Sequence, residues 1–268
     1  MPNKSGDSTV SVLETTLRQV RDNGSKCLIG YVMGGIRTDW ADLVRAMIDG
    51  GADAVEIGLP FSDPMLDGSV IQRASVTALE QGARVEGILD DLPDVTAPLI
   101  TMTYSNHLVS RGLGQYLDTI AAAGISGSIV ADLPFEESAD YLAAAEAAGV
   151  SPVLMSAPST PMETARRIVG ASGGFVYAMG AMAPTGTYRT AGEDGWAFAQ
   201  RLRSTDGLPV VIGFGIDTPE RAARAARQSD GVVVASALMD PVLAGAGAAS
   251  IMGTVQAFRQ RLDEAAIP

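Results

Sequence analysis

The sequence predicts an α/β barrel built from eight βα units, and three observations carry that prediction. The chain has 268 residues, close to the roughly 250 that one (β/α)8 barrel takes. A single unit recurs along it: a polar, Ala- and Leu-rich segment ends in Ala-Gly or Gly and gives way to a short apolar run. No linker, low-complexity tract or shift in composition separates the units. Residues 1–268 are therefore read as one barrel domain, with an open doubly wound sheet as second choice on pattern alone.

The elements follow in chain order. A helix over about 9–22 precedes every strand and is placed across the bottom of the barrel. Strands are expected at 27–33, 53–58, 98–103, 126–131, 152–156, 174–179, 209–213 and 231–235. Runs such as "ADAVEIG", "SGSIVAD" and "DGVVVAS" do not alternate; they are apolar on both faces, as strands buried in a parallel sheet must be. The glycine before each run suits the left-handed residue that ends a helix.

Scarcity narrows the chemistry. Nineteen bases against 31 acids leave a net charge of −12, which argues against nucleic acid or an anionic membrane as a partner. The apolar runs are too short to span a bilayer. Residues 1–26 lack the apolar core of a signal peptide, so a cytoplasmic protein is expected. Cys27 is the one cysteine and His107 the one histidine, which excludes an intrachain disulfide and a thiolate or imidazole metal cluster. The only lysines, Lys4 and Lys26, lie before or at the first strand, far from the mouth where a Schiff base would form. No metal and no cofactor are expected. Carboxylates, hydroxyls and backbone groups are what remains.

Barrel chemistry sits at the C-terminal ends of the strands. That selects Tyr31, Glu56, the loop 59–70, Tyr104 with Asn106, Asp132, Ser156, Tyr177, the turn 213–215, and Ala235 with Ser236. Glu56 lies inside an apolar strand, where an unpaired carboxylate is costly to desolvate. It is either ion-paired or an acid/base whose pKa burial tunes. Asp67 follows in "LPFSDPMLDGSVIQ", a loop stiffened by two prolines, although Asp-Pro and Asp-Gly are also ordinary turn pairs. His107 is given no role, Cys27 is read as a small core residue, and "PERAARAAR" (219–227) as a solvated helix face.

The stretch "ADAVEIGLPFSDPMLDGSVIQRAS" (52–75) resembles the signature of the tryptophan synthase α-subunit family. The similarity extends over nearly the whole chain, through "MTYSN" (102–106), "VADLPFEES" (130–138), "GFVY" (174–177), "PTG" (184–186), "GFGI" (213–216) and "DGVVVASAL" (230–238). The resemblance implies a TIM barrel that cleaves indole-3-glycerol phosphate to indole and glyceraldehyde 3-phosphate. Its catalytic carboxylates fall on Glu56 and Asp67, the tyrosine near its glutamate on Tyr177, and an aromatic that lines its indole pocket on Tyr31. Substrate phosphate would be held at Gly186, Gly213, Phe214, Gly215, Ala235 and Ser236, through backbone amides and a helix N-terminus, and the loop that carries Thr185 and Gly186 would close over the substrate. A β subunit would dock through residues 60–65. In the loop "GAMAPTG" (180–186), Gly180, Ala183 and Pro184 depart from the family pattern. That departure keeps a stand-alone lyase, acting on a plain or modified indole-glycerol phosphate, as the alternative to a β-coupled subunit.

Overall fold

The computed structural model describes residues 11–180, 192–204 and 207–266, with 192–194 described by backbone alone. Nine strands form one sheet: β1 Cys27–Met33, β2 Ala54–Gly58, β3 Leu99–Thr103, β4 Ile125–Val130, β5 Ser151–Pro152, β6 Leu154–Ser156, β7 Val176–Met179, β8 Val210–Gly213 and β9 Gly231–Val234. Every pairing is parallel, in the order β5-β4-β3-β2-β1-β9-β8-β7-β6.

The two ends of that order, β5 and β6, are consecutive in the chain and separated by Val153 alone. The ring therefore comes back to its own start, as a barrel does and an open doubly wound sheet does not. One expectation is corrected here. The fifth strand, read as 152–156, is divided: β5 pairs with β4, and β6 with β7. Pro152 has no N–H to give to a ladder and marks the break, while the Val153 N–H bonds back to Ser128 O at 2.9 Å.

The bottom is closed by the helix Val12–Asp22, which begins where the Ser11 side chain accepts the Glu14 N–H. Its inward residues Leu13 and Leu17 are wholly buried, each contributing about 2 kcal/mol of transfer free energy. Glycines make room for them. A Cβ added at Gly127 or Gly174 would stand 2.5 or 2.6 Å from Leu13 Cδ2. Lys26 also lies at this end, its Nζ 2.9 Å from Ser229 O. No helix among the described residues is long and apolar enough to cross a membrane.

Candidate active site

Glu56 is the third residue of β2, facing Tyr31 across to β1 and Ile100 across to β3, and it is 1% exposed. Tyr31 leans over the end of the same neighbour strand. A Cβ at Gly58 would lie 2.0 Å from the Tyr31 hydroxyl. Tyr177 on β7 repeats the arrangement: it pairs with Val211, and a Cβ at Gly213 would lie 1.9 Å from its hydroxyl. A glycine two residues beyond the tyrosine's partner clears the way in both cases, the close approach that a strand glycine permits.

These groups line one narrow pocket at the C-terminal mouth, the end of the barrel where active sites lie. Of the residues expected at a site, Tyr31, Glu56, Asp67, Tyr177, Phe214, Gly215, Ala235 and Ser236 all border it. Thr185 and Gly186, with Ala183 and Pro184, lie outside the described residues. The apolar wall is completed by Ile71, Met102, Ile216 and Val233, which sequence reasoning left out. Met102 and Val233 stand near strand C-termini and were within reach of the strand-end rule.

Asp67 reaches the cavity because the loop between β2 and the helix Ser69–Glu80 is fastened at several points. Ser75 Oγ donates to Phe61 O at 2.8 Å and accepts the Phe61 N–H at 2.9 Å. The Asp67 N–H bonds Pro64 O at 3.0 Å, and Gln72 Nε2 donates to Asp67 O at 2.9 Å. From the facing helix Ser105–Arg111, His107 Nε2–H donates to Pro60 O at 3.2 Å, so the histidine given no role holds the loop. Tyr104 stacks on Phe61 with centroids 5.1 Å apart. Its hydroxyl accepts the Leu66 N–H at 3.1 Å and hydrogen-bonds the Asp67 carboxylate. Tyr104 stood among the strand-end residues, but the contact depends on a loop folding back some forty residues away in sequence.

The two carboxylates sit in different electrostatic settings. Burial, then the neighbouring Asp67 charge, pushes Glu56 up to about 8; its Oε2 has no hydrogen-bond partner among the described residues. Burial raises Asp67 to about 6, with the Tyr104 hydroxyl acting against the rise. Near neutral pH one is a carboxylic acid and the other a carboxylate, the separation from which acid and base roles are assigned. Burial, ahead of the carboxylate charges, also drives the Tyr31 and Tyr177 phenols far upward. Both tyrosines stay neutral.

Another part of the rim is backbone-rich. Phe214 and Gly215 both have left-handed φ, +72° and +75°, and the Phe214 ring meets Tyr177 edge-on at 6.0 Å. Ala235 caps the helix Ser236–Leu243, whose first amides have no intrahelical acceptor. The helix Pro219–Ala226 corrects an expectation: its charges are not merely solvated. Arg221 is only 16% exposed in its side chain, and both Arg221 and Arg224 lie 5.6 Å from the Trp196 ring centroid.

A parallel (β/α)8 barrel with its titratable groups gathered at the strand C-termini defines the class, a barrel enzyme acting on a small molecule. Comparison with known proteins supplies the particular one. The family model for the tryptophan synthase alpha chain matches residues 17–267. The tryptophan synthase alpha chain of Phenylobacterium zucineum is 37% identical over 241 residues, 87% of each chain. That of Streptomyces avermitilis is 36% identical over 257 residues, 94% of this chain and 93% of that one. A chain of Mycobacterium tuberculosis tryptophan synthase superposes with a TM-score of 0.85 at 30% identity, covering 95% of this chain and 99% of its own. The chain belongs to the tryptophan synthase alpha chain family, and it is a lyase that cleaves indole-3-glycerol phosphate.

Proposed function

We propose that Glu56 and Asp67 carry this cleavage as a pair, with Glu56 the mobile-proton group and Asp67 the fixed anion. Neutral Glu56 donates its proton to the indole ring carbon that bears the glycerol chain. The ring becomes an indolenine whose positive N–H is hydrogen-bonded by Asp67, a charge that grows only as the transition state is approached. The Glu56 carboxylate then takes the proton of the adjacent glycerol hydroxyl. The hydroxyl becomes the aldehyde carbonyl as the carbon–carbon bond breaks, and its electron pair restores the indole. Glu56 ends protonated, as it began.

The observation that carries this reading is that the buried Glu56 and the half-buried Asp67 line one pocket in different settings, Glu56 pushed up to about 8 and Asp67 to about 6. Tyr31 and Tyr177 flank the ring, and the turn at Phe214–Gly215 with Ala235–Ser236 receives the phosphate on backbone amides. The test is direct: purified protein and indole-3-glycerol phosphate, with indole release followed in the natural protein and in Glu56→Gln. Turnover by Glu56→Gln at the natural rate overturns the assignment.

The partner follows from the same loop. Residues 60–65 dock a β subunit, with Met65, 67% exposed, as the apolar contact and the fastened backbone beneath it as a rigid platform. A single barrel domain over 1–268 in the cytoplasm completes the reading; the buried free thiol of Cys27 suits a reducing compartment.

A further inference from the structure

Two consecutive left-handed residues, one of them a phenylalanine, need something to hold them. A bulky side chain in this region costs of order 1–3 kcal/mol, and Phe214 at +72° precedes Gly215 at +75°. The holding group is Arg221. Its Nε donates to Gly215 O at 2.8 Å, and its guanidinium rests against the buried Trp196 ring at 5.6 Å. A Cβ at Gly215 would stand 3.5 Å from Arg221 Nη2, so the cation backs the cavity wall that Gly215 forms. Its carboxylate neighbour Asp217, 3.2 Å away, is 62% exposed, so it neutralises the cation only in part.

We propose that Arg221 positions the substrate phosphate, a deepening that rests on the reading of the Phe214–Gly215 and Ala235–Ser236 rim as the phosphate site. Two physical effects converge. A trans peptide points its C=O and N–H in opposite directions. Fixing the Gly215 carbonyl on Arg221 therefore sends the Ile216 N–H the other way, toward the anion, and consecutive amides in such turns form anion-binding concavities. Arg221 also places a permanent positive charge behind the turn. In a chain of net charge −12 whose lysines are confined to positions 4 and 26, that charge offsets the repulsion an anionic substrate meets.

The experiment uses the full chain, with inorganic phosphate as a competitive probe and indole release as the readout. Arg221→Gln keeps a donor for Gly215 O but removes the charge. It is expected to raise both the phosphate inhibition constant and the KM about tenfold, a 1.4 kcal/mol effect, while kcat stays within about twofold. Asp217→Asn removes the opposing carboxylate and is expected to tighten phosphate inhibition about twofold, a direction that damage to the fold would not produce. An unchanged phosphate constant and KM in Arg221→Gln, with phosphate still competing in the natural protein, overturns the proposal. Should Arg221→Gln fail to fold, Asp217→Asn decides alone: tightening supports the role and no change overturns it. If phosphate does not compete even in the natural protein, the rim reading itself is wrong and the proposal falls with it.

Discussion

The Tyr31 hydroxyl occupies the space that a side chain at Gly58 would need, 2.0 Å from where its Cβ would stand. Substrate pocket and strand backbone are thus interlocked: the tyrosine can lie beside Glu56 only while position 58 has no side chain. Gly58→Ala is expected to displace Tyr31 and cost about 1–3 kcal/mol, the usual range for overpacking. Tyr31→Phe removes the closest atom and leaves the next at 2.6 Å, so the double variant should recover part of that loss. Urea unfolding of the four proteins measures the coupling; strict additivity would show that the ring moves aside freely.

The proton-transfer pair predicts a bell-shaped dependence of kcat/KM on pH. Asp67 must be ionised, which sets a lower limb near 6, and Glu56 must be protonated, which sets an upper limb near 8. A profile flat from pH 5 to 9 would remove both residues from the proton path.

Glu56→Gln and Asp67→Asn should each lower indole release by about 10²–10⁴-fold with the fold intact. Glu56→Gln should also be the more stable protein at high pH. The folded Glu56 binds its proton more tightly than the unfolded one, so its contribution is fully present below about 4.5 and is lost as pH rises through about 8. Glutamine does not titrate and escapes that decline, gaining on the order of 2–4 kcal/mol at pH 9 and nothing near pH 4. Equal denaturant midpoints at pH 9 would contradict a buried, strained carboxylate.

Tyr104→Phe removes the hydrogen bond that keeps Asp67 from rising further. The acid limb of the activity profile should therefore move above 6, so that the variant is impaired most at low pH and approaches the natural enzyme at pH 8. The Leu66 N–H also loses its acceptor, at a cost of about 1–3 kcal/mol. An acid limb that stays in place would show that the Tyr104 contact is only packing.

Met65→Glu leaves every cavity-lining side chain untouched and puts a charge on the proposed docking face. Indole release by the isolated chain should be unchanged, while binding of a β subunit, followed by titration calorimetry, weakens by at least about tenfold. Undiminished binding would move the docking surface away from residues 60–65.

The proposed catalytic pair is conspicuous in the sequence alone, because each residue breaks the pattern around it. Glu56 breaks an apolar strand, and Asp67 sits in a loop whose prolines and glycine fix its course. Tyr104 and His107 were not legible in the same way: they act through a loop that returns to them from residues 60–66, and no local pattern records that return. Arg221 was masked by its own helix. The pattern of "PERAARAAR" distinguishes alanines that face the core from arginines that face away, but not an arginine that finds Trp196 and a carbonyl on its outward side. The split fifth strand had a visible marker in Pro152, outweighed by the apolar run around it.

The bottom seal has a spatial consequence. With Leu13 and Leu17 wholly buried at the lower end, the described residues leave the cavity open at the mouth, the end at which a β subunit is proposed to dock. In the proposed site, indole lies among Tyr31, Tyr177 and the aliphatic wall while the aldehyde phosphate sits at the rim, so the depth of the pocket separates the two products.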